Sequence, residues 1–332
     1  MVKFLFCLFS FYSNNLDCYK SIKILTFLNL LAPIFGLCVK GYFSYFLILH
    51  LFYSNHLIMS TDSKYIFPIL ITVLIMACGT QSVATAESPV KKLLTKKQFE
   101  TLFPHHDTLY SYEGFVAATQ KFPTFVTEGN ELQNKRELMA FFANVAHETT
   151  NGWAEAEGGA YVWGLVYKEE QACLKKPCPV YNTGGMSQYQ PVPGKNYYGR
   201  GPLQLSYAYN YGLAGDDLQL PLLQHPELVC KNGTVAFEAA LWFWMKQQKP
   251  KPSCHEVMCG KWTPTPQDIV LKRKAGFGMT INIINGGLEC NTTQKEVSNN
   301  RNERIGFYKD FCKKMNVIPE EDCDCAVMGN YK

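Results

Sequence analysis

The chain has 332 residues, a formal net charge of +4 at pH 7 and 47% hydrophobic residues. That length allows one large domain or two ordinary ones. The positive charge is small and no arginine-rich run accompanies it, which excludes nucleic acid as the main partner.

Residues 1–86 have the composition of membrane or export sequence. The segment MSTDSKYIFPILITVLIMACGTQSVATAES begins at position 59 and carries a lysine ahead of an apolar core, with an Ala-x-Ala cleavage pattern near its end. We therefore expect residues 59–86 to be a secretory signal peptide and residues 1–58 to be a doubtful hydrophobic extension ahead of the true translation start. A genuine membrane anchor at 1–58 is the alternative.

The remaining residues, 87–332, contain no Pro- or Ser-rich linker and no internal repeat, so we expect one domain. After removal of the signal peptide this domain would be secreted, extracellular and monomeric, with no stable membrane association. If residues 1–58 are genuine, it would instead be anchored to a membrane.

Four of the thirteen cysteines lie in 1–86, which leaves nine in the predicted domain. In a secreted chain these favour disulfides, and the pairs Cys173/Cys178 and Cys254/Cys259 could each close a small loop. An odd number leaves at least one thiol free or paired elsewhere. Structural zinc needs spacings such as two Cys-x-x-Cys pairs, which do not occur, so we expect no metal and no cofactor.

The domain is predicted to be mainly α (α+β). Apolar residues at helical spacing predict several helices, and a helix is also expected to follow a turn within residues 201–211. The predicted helices cover residues 96–103, 112–119, 131–147, 235–247 and 301–315. Residues 160–166 are predicted to form a short strand.

The predicted helix at 131–147 delivers His147 and Glu148 to its end. A zinc protease motif would need a second histidine at position 151, which is asparagine. A serine hydrolase would need a Gly-x-Ser-x-Gly elbow, which is absent from the sequence. Acid/base catalysis by two carboxylates remains. A carboxylate at a helix C-terminus faces the negative end of the helix dipole, which favours the protonated form that a general acid requires.

The second carboxylate is expected in the irregular stretch that follows. Its candidates are Glu155, Glu157, Glu169 and Glu170, each of which could equally be a solvated surface acid. We expect Glu155 and Glu157 to be exposed loop residues.

Five ordered blocks in this sequence resemble the family 19 glycoside hydrolases, the plant-type (class IV/II-like) endochitinases. The blocks, which fall within residues 96–325, are AFFANVAHETTNGW, YYGRGPLQLSYAYNYG, LWFWM, GFGMTINIINGGLEC and RIGFYKDFC. The resemblance implies a lysozyme-like, two-lobed fold with a small β element and a long substrate cleft. It also implies endo-hydrolysis of β-1,4-linked N-acetylglucosamine chains, chitin or chito-oligosaccharide, with inversion. No cysteine-dense chitin-binding module precedes the domain in this sequence.

Site roles are implied by the same resemblance. The general acid falls on Glu148, the general base on Glu170, and the serine that helps hold the attacking water on Ser206. Glu289 and Arg304 match a charged pair that tunes the site, and Arg304 is expected to favour the ionised form of Glu170. The implied substrate contacts are Thr149, Trp163, Gln204, Tyr209, Asn210, Lys251 and Asn285.

Simpler explanations exist for some of these residues. Trp242 and Trp244 lie on an apolar helix and are expected to belong to the core rather than to a sugar-binding surface. Tyr209 could simply pack, Asn285 could be a turn residue before two glycines, and His147 is expected only to form a hydrogen bond.

Two other functions remain open at this stage. A peptidoglycan-cleaving, lysozyme-like hydrolase could use the same pair of carboxylates. A non-catalytic chitin-binding protein is disfavoured because both glutamates and Ser206 are intact.

Overall fold

The structure, a computed structural model, describes residues 88–182, 188–292 and 294–331. The predicted extension at 1–58 and the predicted signal peptide at 59–86 lie outside the described residues. Within the described part of the chain, no helix is both long enough and apolar enough to cross a membrane.

The described residues are mainly α-helical, as predicted. Two short 3-10 turns, Ala160–Val162 and Pro179–Asn182, accompany the helices. The α-helices are α1 (Val90–Leu93), α2 (Lys96–Leu102), α3 (Tyr112–Thr119), α4 (Glu131–Glu148), α5 (Gln171–Lys175), α6 (Ala208–Leu218), α7 (Leu228–Lys231), α8 (Gly233–Met245), α9 (Cys254–Cys259), α10 (Pro266–Val270), α11 (Phe277–Glu289) and α12 (Lys295–Lys314).

Helix ends follow the local capping chemistry. Asn130 caps α4 by accepting a hydrogen bond from the backbone N–H of Gln133, whose side chain accepts in return from the N–H of Asn130. Asn232 caps α8 in a similar way, so that helix begins two residues earlier than predicted. Helix α12 also begins earlier, at Lys295 rather than at position 301. Its first two turns are mostly polar and have no apolar periodicity, so the sequence pattern did not predict them.

Two hydrophobic clusters divide the buried side chains. In the larger, α4 packs along α12 and against α9, and α8 packs against α3. Its phenylalanines stack mostly edge to face, and Trp244 belongs to the same cluster. The smaller cluster surrounds α6 and contains Tyr197, Tyr211 and Trp242. The expectation that Trp242 and Trp244 are core residues is therefore confirmed.

The small β element consists of backbone pairs rather than full strands. Glu169 pairs with Arg200, and Arg200 pairs with Leu205, both antiparallel. Glu170 N donates to Gly199 O over 2.9 Å, which extends the first pair by one residue. Three short segments therefore lie side by side.

The strand predicted at residues 160–166 is wrong. The segment contains a 3-10 turn, and its backbone bonds go to loops: Asn151 N donates to Trp163 O, and Asp107 N donates to Leu165 O. Gly164 lies so close to α4 that a Cβ there would approach the Cβ of Ala146 to 2.7 Å. Loop hydrogen bonds and this close packing, rather than a sheet, therefore hold the segment.

Disulfides are formed by Cys173 with Cys178 and by Cys290 with Cys325. The first pair is as predicted. Cys254 and Cys259 are free, so the second suggested pair is wrong. They lie at opposite ends of one helix, and a rise of about 7.5 Å over five residues exceeds the span of roughly 7 Å that a disulfide can bridge.

Candidate active site

Glu148 is the last residue of α4, where the helix leaves the core. Its side chain is 18% exposed, so it is mostly packed but still reaches solvent. One guanidinium nitrogen of Arg304, Nη2, donates to Glu148 Oε1 over 2.5 Å. Glu148 is thus fixed on one side by a rigid helix and on the other by a buried cation.

Arg304 is the centre of a buried network. Its side chain is only 1% exposed and donates to Glu289 through both Nε and Nη2, over 2.9 and 2.8 Å. Nη1 donates to Asn144 Oδ1 over 3.1 Å. The expectation that Arg304 acts on Glu170 is not supported, because its hydrogen bonds go to Glu148 and Glu289.

The charges of this network reinforce one another. Burial raises the pKa of Glu289, but the hydrogen bonds and charge of Arg304, helped by His147 and Asn285, outweigh it and leave the pKa below its ordinary value. Burial also opposes the charge of Arg304, yet the two carboxylates raise its pKa further. Arg304 and Glu289 therefore form a permanent ion pair behind Glu148.

Asn144 is a member of this network that the sequence analysis missed. It lies on α4 one turn before Glu148, is completely buried, and donates from Nδ2 to Ala140 O and to Thr280 Oγ1. A buried amide in an otherwise apolar helix face is the signal that could have identified it, because such a group needs partners. Asn285 donates to Glu289 Oε1 over 2.7 Å and interrupts the helical backbone of α11.

Thr149 is completely buried, which does not support its expected contact with substrate. Its hydroxyl donates to Val145 O and accepts from Leu165 N over 2.8 Å. Its carbonyl accepts from the backbone N–H groups of Val166 and Tyr167. Thr149 therefore ties the end of α4 to the segment that leads to Glu170.

Glu170 lies three residues beyond that attachment, immediately before α5. Its half-buried carboxylate accepts weakly from Gly199 N, over 3.4 Å. Among the described residues, it forms no ion pair. Burial of the Tyr181 phenol, together with its hydrogen bond to Glu170, raises the pKa of Tyr181 to about 12.

Its neighbour Glu169 has a different environment. Glu169 Oε2 lies 3.4 Å from the guanidinium of Arg200 and accepts from the hydroxyl of Tyr198 over 3.0 Å. Arg200 is buried, with its guanidinium over the ring of Tyr198. The carboxylate of Glu169 therefore neutralises a buried cation, whereas no cation is paired with the carboxylate of Glu170 among the described residues.

Ser206 follows the third segment of the β element. It is half-buried, and its hydroxyl donates to Gln204 O over 2.7 Å. Gln204 has a positive φ of 48° and donates from Nε2 to Gly201 O. Asn210, on the first turn of α6, donates to Ser206 O. Since Arg200 pairs with both Glu169 and Leu205, the β element brings the neighbourhoods of Glu170 and Ser206 together.

Comparison with known proteins decides the family. The sequence model of the family described as chitinase class I, glycoside hydrolase family 19, matches residues 89–325. This chain belongs to that family.

Relatives and solved structures agree with this assignment. The acidic endochitinase WIN6 of Populus trichocarpa is 44% identical over 240 residues, which cover 70% of this chain and 68% of that protein. Chitinase 10 of Oryza sativa subsp. japonica is 43% identical, covering 72% of this chain and 82% of its own length. A bacterial family 19 chitinase structure is 34% identical, with a TM-score of 0.57 over 70% of this chain and all of that chain. The class IV chitinase from Zea mays is 30% identical, with a TM-score of 0.53, over 70% of this chain and 98% of that chain.

Two of the expected substrate contacts of this family 19 chitinase are aromatic, Trp163 and Tyr209. Trp163 stacks on His105 with ring centroids 3.9 Å apart and lies near Trp153, whose side chain is largely exposed. Tyr209 lies on α6 and stacks on Tyr207 at 5.7 Å. Trp163 and Tyr209 are both half-buried and keep part of their surface free.

The other expected contacts of the chitinase are already engaged within the protein. Lys251 donates from Nζ to Ile283 O over 2.9 Å, and burial lowers the pKa of its ammonium group.

His147 forms its hydrogen bond with Glu303 over 2.7 Å rather than with a neighbour in sequence. Glu155 and Glu157 are exposed, as predicted.

Proposed function

We propose that this family 19 endochitinase cleaves chitin by inversion, with Glu148 as general acid and Glu170 as general base. The observation that supports this division is the contrast between the two carboxylates. Glu148 is held by Arg304 on a rigid helix, whereas Glu170 forms no ion pair among the described residues and belongs to the β element beside Ser206.

The proposed chemistry follows from these surroundings. Glu148 gives its proton to the glycosidic oxygen as the bond to C1 breaks. Glu170 takes a proton from a water molecule, held with the help of the Ser206 hydroxyl, while that water attacks C1 from the opposite face. In an inverting enzyme the two carboxyl groups stand roughly 6.5–9.5 Å apart to leave room for the water.

Arg304 has a specific role in this scheme. As Glu148 loses its proton, a negative charge develops on its carboxylate at the end of a helix, where the dipole opposes it. The guanidinium already lies against that carboxylate and needs no rearrangement to stabilise it. Glu289 keeps Arg304 in place by accepting two of its hydrogen bonds.

Substrate binding is proposed to use Trp163, Gln204, Tyr209, Asn210, Lys251 and Asn285. The flat rings present apolar faces to sugar rings, and the amides can pair with acetamido groups. Thr149 is left out of this set because it is buried.

The decisive experiment is to identify the anomer of the first product from a chitin hexamer by NMR. Inversion of a β-linkage yields the α-anomer at the new reducing end, and an initial β-anomer would refute the proposal. A parallel assay on purified bacterial peptidoglycan separates chitin hydrolysis from a lysozyme-like activity, which we expect to be much weaker.

The role of Glu148 is tested by Glu148→Gln, which keeps the shape of the side chain but removes the acid. We expect kcat to fall by about 10²-fold or more, with binding of the hexamer retained. Glu155→Gln is the matched control, because Glu155 is an exposed acid in the loop that follows. A Glu148→Gln variant with unchanged kcat would exclude this residue as the acid.

We also propose that the chain is exported after cleavage of residues 59–86 and acts as an extracellular monomer. The disulfides at Cys173–Cys178 and Cys290–Cys325 support an oxidising compartment. N-terminal sequencing of the mature protein and size-exclusion chromatography test this. A mature chain that retains residues before position 59 would contradict it.

A further inference from the structure

Far from the carboxylates, three side chains of different chemistry converge. Glu128 precedes α4, while His255 and Cys259 lie on α9. A carboxylate oxygen, an imidazole nitrogen and a sulfur from these residues all lie within 4.8 Å of one another. His255 and Cys259 are buried, at 4% and 5% exposure, and Glu128 lies at the surface.

The imidazole of His255 is oriented by a buried carboxylate. Its Nδ1 lies 2.7 Å from Oε1 of Glu137, which is completely buried and also accepts from Trp244 Nε1 and from Val126 N. Its other nitrogen, Nε2, points towards Glu128, 2.8 Å away. A carboxylate behind one ring nitrogen, with the other nitrogen facing further ligands, is the arrangement that protein metal sites use to orient a histidine ligand.

We propose that Glu128, His255 and Cys259 bind one zinc ion, with water as the fourth ligand. Imidazole, thiolate and carboxylate are all zinc ligands, and three protein ligands plus water complete a tetrahedral shell. The site is separate from the catalytic residues, because Glu137 lies eleven residues before Glu148 on the same helix, or about 16 Å along its axis.

The imidazole and the carboxylate need little movement to bind the metal. Zinc–ligand distances near 2.1 Å place tetrahedral ligand atoms about 3.4 Å apart, so His255 Nε2 and Glu128 Oε2 must separate by roughly half an ångström. The second oxygen of Glu128, Oε1, contacts Lys261 Nζ over 2.6 Å and can keep that partner.

The charges balance when the metal enters. In its absence, Glu137 and Glu128 both face His255 and favour its protonated form. Zinc displaces the proton on Nε2 and the thiol proton of Cys259, so two protons leave and go to the buffer. The resulting charges are +2 on zinc, −1 on each of Cys259, Glu128 and Glu137, and +1 on Lys261, which sum to zero.

Cobalt(II) is the probe for the test, because a cobalt–thiolate bond adds a charge-transfer absorption in the near ultraviolet. The intact domain, freed of metal with a chelator and kept reduced, is titrated with cobalt and then with zinc. We expect one cobalt per chain, an absorption band that zinc displaces, and tighter binding as the pH rises.

The variants identify the ligands. Cys259→Ser should abolish the band and weaken zinc binding at least about 10-fold, and Glu128→Gln should weaken binding by a similar factor while the band persists. Cys254→Ser is the control, because this buried thiol lies on the same helix and should leave band and affinity unchanged. Chitin hydrolysis should be the same in all three variants.

Two results would overturn the proposal. One is the absence of any stoichiometric cobalt–thiolate band in the native protein. The other is a band of full strength in folded Cys259→Ser, which would assign the metal to another thiol. Should Cys259→Ser fail to fold, the surface variant Glu128→Gln still decides, because unchanged zinc affinity there contradicts the site.

Discussion

Arg304 and Glu148 lie 156 positions apart in the chain, yet the guanidinium of one donates to the carboxylate of the other over 2.5 Å. The same nitrogen donates to Glu289 over 2.8 Å. Since Arg304 is almost completely buried, the orientation of Glu148 depends on helix α12 as much as on the helix that carries it.

Replacing Arg304 with lysine tests this dependence. Lysine keeps the charge but lacks the planar fork, so it cannot bridge Glu148 and Glu289. We expect kcat on a chitin hexamer to fall about 10²-fold through misplacement of the acid, and the free energy of unfolding in urea to fall by about 3 kcal/mol.

The control for this variant is Arg136→Lys. Within the part of the chain that the structure describes, Arg136 donates to the backbone carbonyls of Ile318 and Pro319, so its replacement should leave kcat unchanged. A folded Arg304→Lys protein with native kcat would show that the contact with Glu148 has no catalytic role.

The neighbouring glutamates at 169 and 170 are expected to respond differently to replacement. Glu170→Gln removes the proposed base and should lower kcat about 10²-fold or more with little change in stability. Glu169→Gln leaves the buried guanidinium of Arg200 without its carboxylate and should cost about 1–3 kcal/mol of unfolding free energy. Steady-state kinetics and urea unfolding on both variants check this, and the reverse pattern would move the base to Glu169.

Thr149 is expected to act on the site through structure alone. Thr149→Val removes the hydroxyl that accepts from Leu165 N and leaves that buried N–H unpaired, at a cost of about 1–3 kcal/mol. Thr149→Ser keeps the hydroxyl and should remain closer to native stability. Because the following segment leads to Glu170, we expect kcat to fall in the valine variant. A valine variant with native stability and a raised KM would instead indicate that Thr149 contacts the substrate.

The His255 cluster should make stability depend on pH. Burial lowers the pKa of His255, but hydrogen bonds and charges from Glu137 and Glu128 outweigh it and leave the pKa above its ordinary value. The resulting stabilisation is fully present below about pH 6.5, the pKa of histidine in the unfolded chain. It is lost as the pH rises through the higher pKa of His255 in the folded protein.

Glu128→Gln removes one of the two carboxylates and should reduce this effect. In urea unfolding from pH 5 to 9, with a chelator present, the native protein should exceed the variant in stability most at the acid end of the range. The difference should shrink as the pH rises. Glu131→Gln is the control, at an exposed acid paired with Lys135. Its difference in unfolding free energy from the native protein should not shrink as the pH rises. A constant difference for Glu128→Gln would contradict the linkage to His255.

Much of the local structure could be predicted from the sequence. The helix at Tyr112–Thr119 has its predicted bounds, and α4 exceeds its prediction by one residue, because both helices carry apolar periodicity and polar caps. The strand expected at 160–166 failed because its backbone partners are loops distant in sequence. The residues of a short segment do not indicate which distant loops will bond to its backbone.

The sequence by itself determined that an apolar helix ends in a carboxylate, and its ordered blocks identified the family. Only the tertiary structure decided which groups meet that carboxylate. The partners of Glu148 and His255 come from segments more than a hundred positions away, and Thr149 is buried by the chain that returns over it. Helix formation depends on neighbours within a turn or two, whereas the environment of an ionisable group depends on every element packed around it.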